Sequence, residues 1–392
     1  MAIDFDKLQD SLAGAGGGYR TVAEGGEGEI DTPRFPSPVT DFDGILREAG
    51  FDPAEYELAS TPRVSTWDAQ TPEGLKRLYS YRISVRKIID GIAEDDIEAA
   101  RLRIQNRELP PVFFMGDTDL PEVSAVVNMA DAQIAKSEGG GISGLTDRIL
   151  NGLENIQAWL DRCRLSYNVS ELILVNNGDV LENIAGNYAS QQFTVEGNLR
   201  QQMNYALDFW DLYASELLPQ FERKQFVTVL SNHGELGRLG TAKNQTSDSD
   251  NADAFLAEAL KRIYKDKPGL DDIQWTIPRD EMNVYTETAT GVKLAFCHGH
   301  KIKGSDAHGF ETWLNGQQRG DIRAWEADIW VTAHRHNFQA WDLGSCSVFQ
   351  CPSLDGGSKW FKDSTGRYSQ SGMIGFLAGQ HTKTKWSDLA FL

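Results

Sequence analysis

The stretch VTVLSNHGELG, Val227 to Gly237, runs an apolar strand straight into Ser231, Asn232, His233 and Glu235. Buried strands ordinarily close with turn formers. An Asn-His pair at such an end is expected only where something polar has to be held, so this strand reads as a device that delivers two side chains to a site.

Other strands share the habit. Predicted apolar strands end as FFMGDTD (113–119), LVNNGD (174–179), VLSNHGE (229–235), LAFCHGH (294–300) and WVTAHRH (330–336). Each puts Asp, Asn or His at its C-terminal edge, and in open α/β sheets the crevice beyond those edges is where ligands bind. Asp, Asn and His supply mixed oxygen and nitrogen donors, a set that suits Mn, Fe or Zn better than Ca or Mg. Two cations about 3.5–4 Å apart need a carboxylate between them and separate ligands on either side, an arrangement that stabilises the attacking and leaving oxygens of a phosphoryl displacement. A dinuclear centre is therefore expected. A single Asp after a strand is usually a turn or cap residue, but five of the seven histidines fall inside these motifs.

Around the strand ends the chain alternates strand and helix. PPVFFMGD, ELILVNNGD and QFVTVLSNHGE read as strands, with helices near 142–163, 195–220 and 252–265. Beyond them VYTETATGVKLAFCHGH, ADIWVTAHRH and QAWDLGSCSVFQC are strand-rich, with one helix near FETWLNGQ, and suggest a second sheet facing the first. Residues 1–40, rich in Gly, Pro and acid, read as a flexible tail, and residues 41–110 as a small α/β appendage ending in the charged helix AEDDIEAARLRIQNREL. Residues 111–392 form the layered domain.

Composition limits what such a domain can do. The 392 residues carry a net charge of -19, which excludes a uniformly basic nucleic-acid surface, so any polyanion has to be met locally. Cys163, Cys297, Cys346 and Cys351 are scattered without a C-x-x-C pair, as suits reduced thiols in a cytoplasm rather than a disulfide framework or a zinc knuckle. No apolar run reaches the roughly 18 residues of a membrane span, and MAIDFDKLQD lacks the charged and apolar regions of a signal peptide. A soluble, cytoplasmic protein is expected, in a host cytoplasm if phage-encoded.

The series GDTD, NNGDVLEN, SNHGE, CHGH and AHRH resembles the calcineurin-like metallophosphoesterase superfamily, whose pattern is D-x-H, G-D, G-N-H-[DE], H and G-H-x-H in that order. The resemblance covers roughly residues 111 to 355 and implies a four-layer α/β/β/α metallophosphoesterase sandwich carrying the small N-terminal α/β appendage. It implies that Asp117 and His336 bind a first metal, that Asp179 bridges, and that Asn232, His298 and His334 bind a second. His233 lies beside the metals as transition-state stabiliser or proton donor to the leaving oxygen, with Glu235 orienting its ring. Asp119 stands where the family has the His of D-x-H, an oxygen ligand that hardens the first site and favours Mn, with Fe or Zn as alternatives. Ser231 and Ala333 replace family glycines with small residues. Either histidine of CHGHK suits the ligand position; His298 follows the strand directly, which leaves His300 as a substrate contact.

Substrate is read from basic residues. LKRLYSYRISVRK carries Lys76, Arg77, Arg82, Arg86 and Lys87 beside Tyr79 and Tyr81, the texture of a surface that tracks phosphates and stacks bases. The same run reads equally as a two-sided strand with Tyr79, Tyr81, Ile83 and Val85 on the core face. Arg335, Lys301, Lys303 and Arg238 adjoin the metal motifs, placed to receive flanking phosphates or to balance acids. The appendage and the loop GRLGTAKNQTSDSDNADAF resemble those of phage-encoded and DNA-repair exonuclease-type members. The expectation is a metal-dependent phosphodiesterase, first a DNA nuclease of exonuclease type. The alternatives are a phosphomonoesterase or cyclic-nucleotide phosphodiesterase, and a non-catalytic binding protein with a vestigial site. Arg82, Arg86, Arg335 and His300 are the expected substrate contacts.

Overall fold

The computed structural model describes residues 19–24, 27–71, 74–87, 94–107, 119–188, 191–237, 247–357 and 369–392. They divide into two compact units, Met1–Ala93 and Glu94–Leu392.

The smaller unit is built on five strands: β1 (Arg20–Glu24), β2 (Glu27–Asp31), β3 (Tyr56–Leu58), β4 (Arg63–Thr71) and β5 (Gly74–Lys87). All pair antiparallel, in the order β1-β2-β5-β3 with β4 also on β5. Helix α1 (Phe42–Glu48) joins them, its first turn capped by the Asp41 carboxylate, which accepts from the Gly44 amide. Part of the expected tail is therefore sheet. Strand β2 stays because Ile30 is fully buried with Ile45, Tyr81 and Ile83, while Asp31 pairs with Arg82 across the ladder. Residues 1–18 lie outside the described residues.

The expected boundary at residue 110 also moves. The charged segment is helix α2 (Glu94–Gln105), which belongs to the larger unit because Ile97, Ala100 and Ile104 enter its core and Arg101 pairs with Asp208 at 2.5 Å.

In the larger unit the strands β6 (Glu122–Met129), β7 (Asn168–Asn176), β8 (Arg223–Thr228) and β9 (Gln274–Thr276) run parallel. The antiparallel strands β15 (Ile374–Ala378) and β16 (Trp386–Phe391), which the sequence reading did not identify, complete a six-stranded sheet on the β6 side. A five-stranded sheet takes β10 (Val284–Glu287), β11 (Lys293–Phe296), β12 (Ile329–Thr332), β13 (Gln339–Asp342) and β14 (Ser347–Gln350) in the order β10-β11-β12-β14-β13, with β11, β12 and β14 parallel.

Side-chain alternation decides what packs on each face. On the six-stranded sheet Ala125, Val127, Leu172, Leu174 and Phe226 share a core with helices α3 (Gly141–Cys163), α4 (Leu199–Leu217) and α5 (Ala252–Tyr264). Their neighbours Val126, Ile173, Val175 and Val227 pack instead with Leu294, Phe296, Ile329 and Val331 of the other sheet. Ala295, Trp330 and Val348 then meet Phe310, Leu314 and Ala324 from helices α6 (Ala307–Gln318) and α7 (Ile322–Glu326).

The register sets the strand ends level. Met129 is opposite Asn176, Asn176 opposite Thr228, Phe296 opposite Val331 and Thr332 opposite Gln350. Whatever follows each parallel strand therefore emerges along one rim of its sheet. No helix among the described residues is long and apolar enough to cross a membrane, and all four cysteines are free thiols in the interior.

Candidate metal centre

The loops beyond these ends are hydrogen-bonded to one another. Asp131 and Gln133 amides donate to the carbonyls of Gly178 and Asp179 at 3.0 and 2.9 Å, the Asn177 amide to Met129 at 2.7 Å, and the Ala333 amide to the His298 carbonyl at 3.0 Å. Asp131, Gln133, Asp179, His334 and His336 all have positive φ, between 41° and 70°. A non-glycine residue held there costs on the order of 1 kcal/mol or more, and such strain concentrates at functional sites. Gly178, at φ 92°, meets a harder constraint: a Cβ there would stand 2.6 Å from the Ser231 Cβ and 2.8 Å from His298 Nδ1. Only glycine lets the β7 loop pass the Asn-His loop this closely.

At the centre are Asp179, His298 and His334, whose ligand atoms lie within 4.8 Å of one another. Nδ1 of His298 is 2.8 Å from the Asn177 carbonyl, which makes it the protonated nitrogen. Nε2 then turns its lone pair toward Asp179 Oδ2 at 2.9 Å and Asn232 Oδ1 at 3.1 Å. Three electron-rich atoms converging in the interior require a proton or a cation among them. Without a metal the proton takes that place: burial opposes the charge, but Asp179 outweighs it and holds the His298 pKa up at about 9. Burial and the neighbouring His298 push His334 down to about 2. The donor set therefore fits a divalent cation bound by Asp179, Asn232, His298 and His334.

Asp179 reaches further. Its Oδ1 accepts the His233 amide at 2.8 Å, and the carboxylate is held well below its usual range, burial being outweighed by His298 and His233. Across the rim, Asp131 Oδ2 accepts the His334 amide at 3.1 Å while Oδ1 faces His336 Nε2 at 3.4 Å. Asp131 Oδ1 is buried and accepts no hydrogen bond among the described residues, so a cation between it and Nε2 also fits.

The D-x-H position therefore changes. The first strand of the sheet is EVSAVVNM, and Asp131 with Gln133 follows its end. Asp119 precedes the same strand, at the opposite edge from the site, and does not join the other ligand candidates. Asp117, with the expected strand PPVFFMGD, lies outside the described residues. The strand EVSAVVNM has no alternation to reveal it because Ala125, Val126 and Val127 are buried on both faces.

The partner of His233 also differs. Its Nδ1 is 2.8 Å from the Glu182 carbonyl and 3.5 Å from the Glu182 carboxylate, so Glu182, which the sequence reading did not name, faces the ring. The main-chain carbonyls of His233 and Glu235 both accept from Asn183 Nδ2, which fixes the loop. Ser231 donates to the buried Asp253 at 2.5 Å and receives the Gly234 amide. Asp253 also accepts from Asn176. Burial raises the Asp253 pKa to about 6, while its bonds to Ser231 and Asn176 restrain the rise.

Of the expected substrate contacts, His300 and Arg335 belong to the larger unit and Arg82 and Arg86 to the smaller. His300 stands beside the centre, its ring centroid 5.5 Å from that of His298 and 6.2 Å from that of His334. Arg335 Nη2 donates to the Ile302 and Gly304 carbonyls, which ties it to the loop after β11. Arg82 makes a two-pronged pair with Asp31 at 2.8 and 3.2 Å, and Arg77 does the same with Asp68. Tyr81, Ile83 and Val85 are buried, so the run is a two-sided strand whose basic face is partly neutralised by acids of its own sheet. The Arg86 backbone lies opposite Glu27 and Glu57; its side chain falls outside the described ones.

No family model matches the chain, and no curated protein does. Solved structures do resemble it distantly. A zinc complex of wild-type Vps29 from Entamoeba histolytica is 11% identical with a TM-score of 0.27, the alignment covering 64% of this chain and 84% of that one. An archaeal phosphodiesterase is 12% identical, with a TM-score of 0.33 and coverage of 68% and 99%. Vacuolar Protein Sorting 29 from Cryptosporidium parvum is 11% identical, with a TM-score of 0.28 and coverage of 69% and 97%. Likeness at this level carries no weight for function, which has to be read from the side chains.

Proposed function

We propose that the chain is a metal-dependent phosphodiesterase on a four-layer α/β/β/α sandwich, in which Asp131, Asp179, Asn232, His298, His334 and His336 would hold two divalent cations. The observation that carries this reading is the convergence of His298 Nε2 on Asp179 Oδ2 and Asn232 Oδ1 while its other nitrogen is committed to the Asn177 carbonyl. Asp131 and His336 furnish the first position, and Asn232, His298 and His334 the second. Divalent metals there supply Lewis-acid activation of water and neutralise charge on the phosphate oxygens; Mn, Zn or Fe suits the donors.

The chain's own residues do the rest. The Glu182 carbonyl accepts the His233 Nδ1 proton and fixes the ring, and the Glu182 carboxylate 3.5 Å away favours a second proton, so that the doubly protonated ring would donate from Nε2 to the leaving oxygen or to developing charge on phosphorus. His300, beside the second position, is the group best placed to touch a substrate oxygen.

Between substrates, the internal pairing of Arg77 and Arg82 and the net charge of -19 favour a short diester over a long DNA strand. DNA cleavage, as by an exonuclease, is the second reading, and rests on the run of basic residues and tyrosines in the sequence of β5. Purified protein with Mn or Zn, assayed on bis-p-nitrophenyl phosphate, p-nitrophenyl phosphate and single- and double-stranded DNA, separates them. Cleavage of the small diester supports the proposal, and strong preference for DNA replaces its substrate. No metal-dependent hydrolysis of any of these defeats it.

A further inference from the structure

Another acid enters the rim after β14, a parallel strand whose end the sequence reading left without a ligand-type residue. Asp355 follows it, buried to 2% exposure. Its Oδ2 is 3.2 Å from His336 Nδ1 and 2.5 Å from the ammonium of Lys136, and its Oδ1 accepts from Ser353 Oγ and the Gly357 amide. Lys136 donates as well to Gln133 Oε1 at 2.8 Å. The Leu354 amide bonds to the Ala130 carbonyl, which fastens the loop bearing Asp355 to the one bearing Asp131.

We infer that Asp355, held in place by Lys136, is the positioning residue that fixes the tautomer and direction of His336 at the first cation position. A carboxylate oxygen facing Nδ1 needs a proton on that nitrogen, which leaves Nε2 free to meet Asp131 Oδ1 across a cation. The ring of His298 is fixed in the same sense by the Asn177 carbonyl. His336 is the more dependent of the two. Its loop residue has a strained φ of 55°, and the residue in the family's His position is Gln133, whose carbonyl oxygen already accepts from Lys136. With one fewer imidazole, the geometry of the first position rests on the one that remains. Lys136 aims Asp355, and this pair joins the β6 and β14 loops, while its contact with Gln133 fixes the ammonium within the β6 loop.

This inference rests on the metal-centre reading above, and the test keeps the two apart. Zinc is titrated calorimetrically into metal-free wild type, Asp355→Ala, Asp355→Asn, and the double variant Asp355→Ala with Lys136→Met, which leaves no orphaned charge. Wild type is expected to show two binding events. Asp355→Ala should weaken one of them by about 10–100-fold and leave the other unchanged. Asp355→Asn, whose amide oxygen accepts the same N–H, should recover most of the loss, and the double variant should behave like Asp355→Ala. Should the variants not fold, long-range 1H–15N spectra of histidine in zinc-loaded wild type decide. His336 is expected to coordinate through Nε2 with Nδ1 protonated, and coordination through Nδ1 overturns the inference. So do two unchanged binding events in Asp355→Ala, or a loss shared equally by both. Failure of wild type to bind zinc removes the metal-centre reading itself, and the inference with it.

Discussion

His298 Nε2 stands 2.9 Å from Asp179 Oδ2 and 3.1 Å from Asn232 Oδ1, and its opposite nitrogen is spoken for by a main-chain carbonyl. Two oxygens and a lone pair do not gather in a protein interior without a positive charge to hold them. Asp179→Asn removes the shared negative charge and should lose metal and hydrolysis together, activity falling by about 10²-fold or more. Elemental analysis finding two metals retained in a folded Asp179→Asn protein contradicts the assignment.

Asp131 and Asp119 make opposite forecasts. Asp131 Oδ1 faces His336, whereas Asp119 precedes the same strand at the far edge of the sheet. Asp131→Asn should lower metal content by roughly one equivalent, on the reasoning that an amide is a poorer ligand than a carboxylate. Asp119→Asn should leave content unchanged. The reverse outcome in a side-by-side metal analysis returns the D-x-H position to the segment before the strand.

His233→Ala should keep both metals, because Nδ1 is committed to Glu182 and the ring is not among the proposed ligands, yet slow hydrolysis by about 10²-fold or more. Glu182→Gln should produce a smaller loss of the same kind, and Glu235→Gln less again. Metal content that falls in step with rate makes His233 a ligand.

In chelator-treated protein the histidines set the pH dependence of stability. His298 is held up at about 9 and His336 at about 10, burial in both being outweighed by neighbouring carboxylates. Against the ordinary value of 6.5, their contribution is complete below 6.5 and is lost as pH rises through 9 and 10. His334, lowered to about 2, works in the other direction: the unfolded chain takes up its proton below 6.5, so stability falls there as well. Melting temperature without metal should therefore peak near pH 6.5, and added zinc should flatten the alkaline side. A metal-free profile that rises steadily from pH 6.5 to 10 rules this out.

Gly178→Ala places a methyl group 2.6 Å from the Ser231 Cβ at a φ of 92°. Chemical denaturation should show a loss of about 1–3 kcal/mol. Zinc affinity should fall too, since the nearest relief moves His298. Unchanged stability means that the β7 loop has room the contacts do not reveal.

Much of the architecture was legible from the chain because strand period and helix period are local properties. Helices at 141–163, 199–217 and 252–264, the strands before Asp179, His298 and His334, and the two-sheet arrangement follow from residues within a few positions of one another. The histidines and Asn232 stood out because polar ligands at the ends of apolar strands are costly unless used. Other features needed the tertiary structure. The strand Glu122–Met129 carries no alternation that marks it in the sequence, and only the pairing of Met129 with Asn176 shows that Asp131 follows a strand end at the rim. Glu182 lies 51 positions from His233, and Asp355 lies 19 from His336 and 219 from Lys136; no periodicity links them, and they meet because parallel strands end level. The acidic segment 27–31 and the basic segment 76–87 looked like a tail and a nucleic-acid surface when read apart, yet they are adjacent strands, and Asp31 of one pairs with Arg82 of the other. The sequence by itself determined which residue types could hold a cation and that strand ends would present them. Long-range register, which no local pattern encodes, determined which of them share a site.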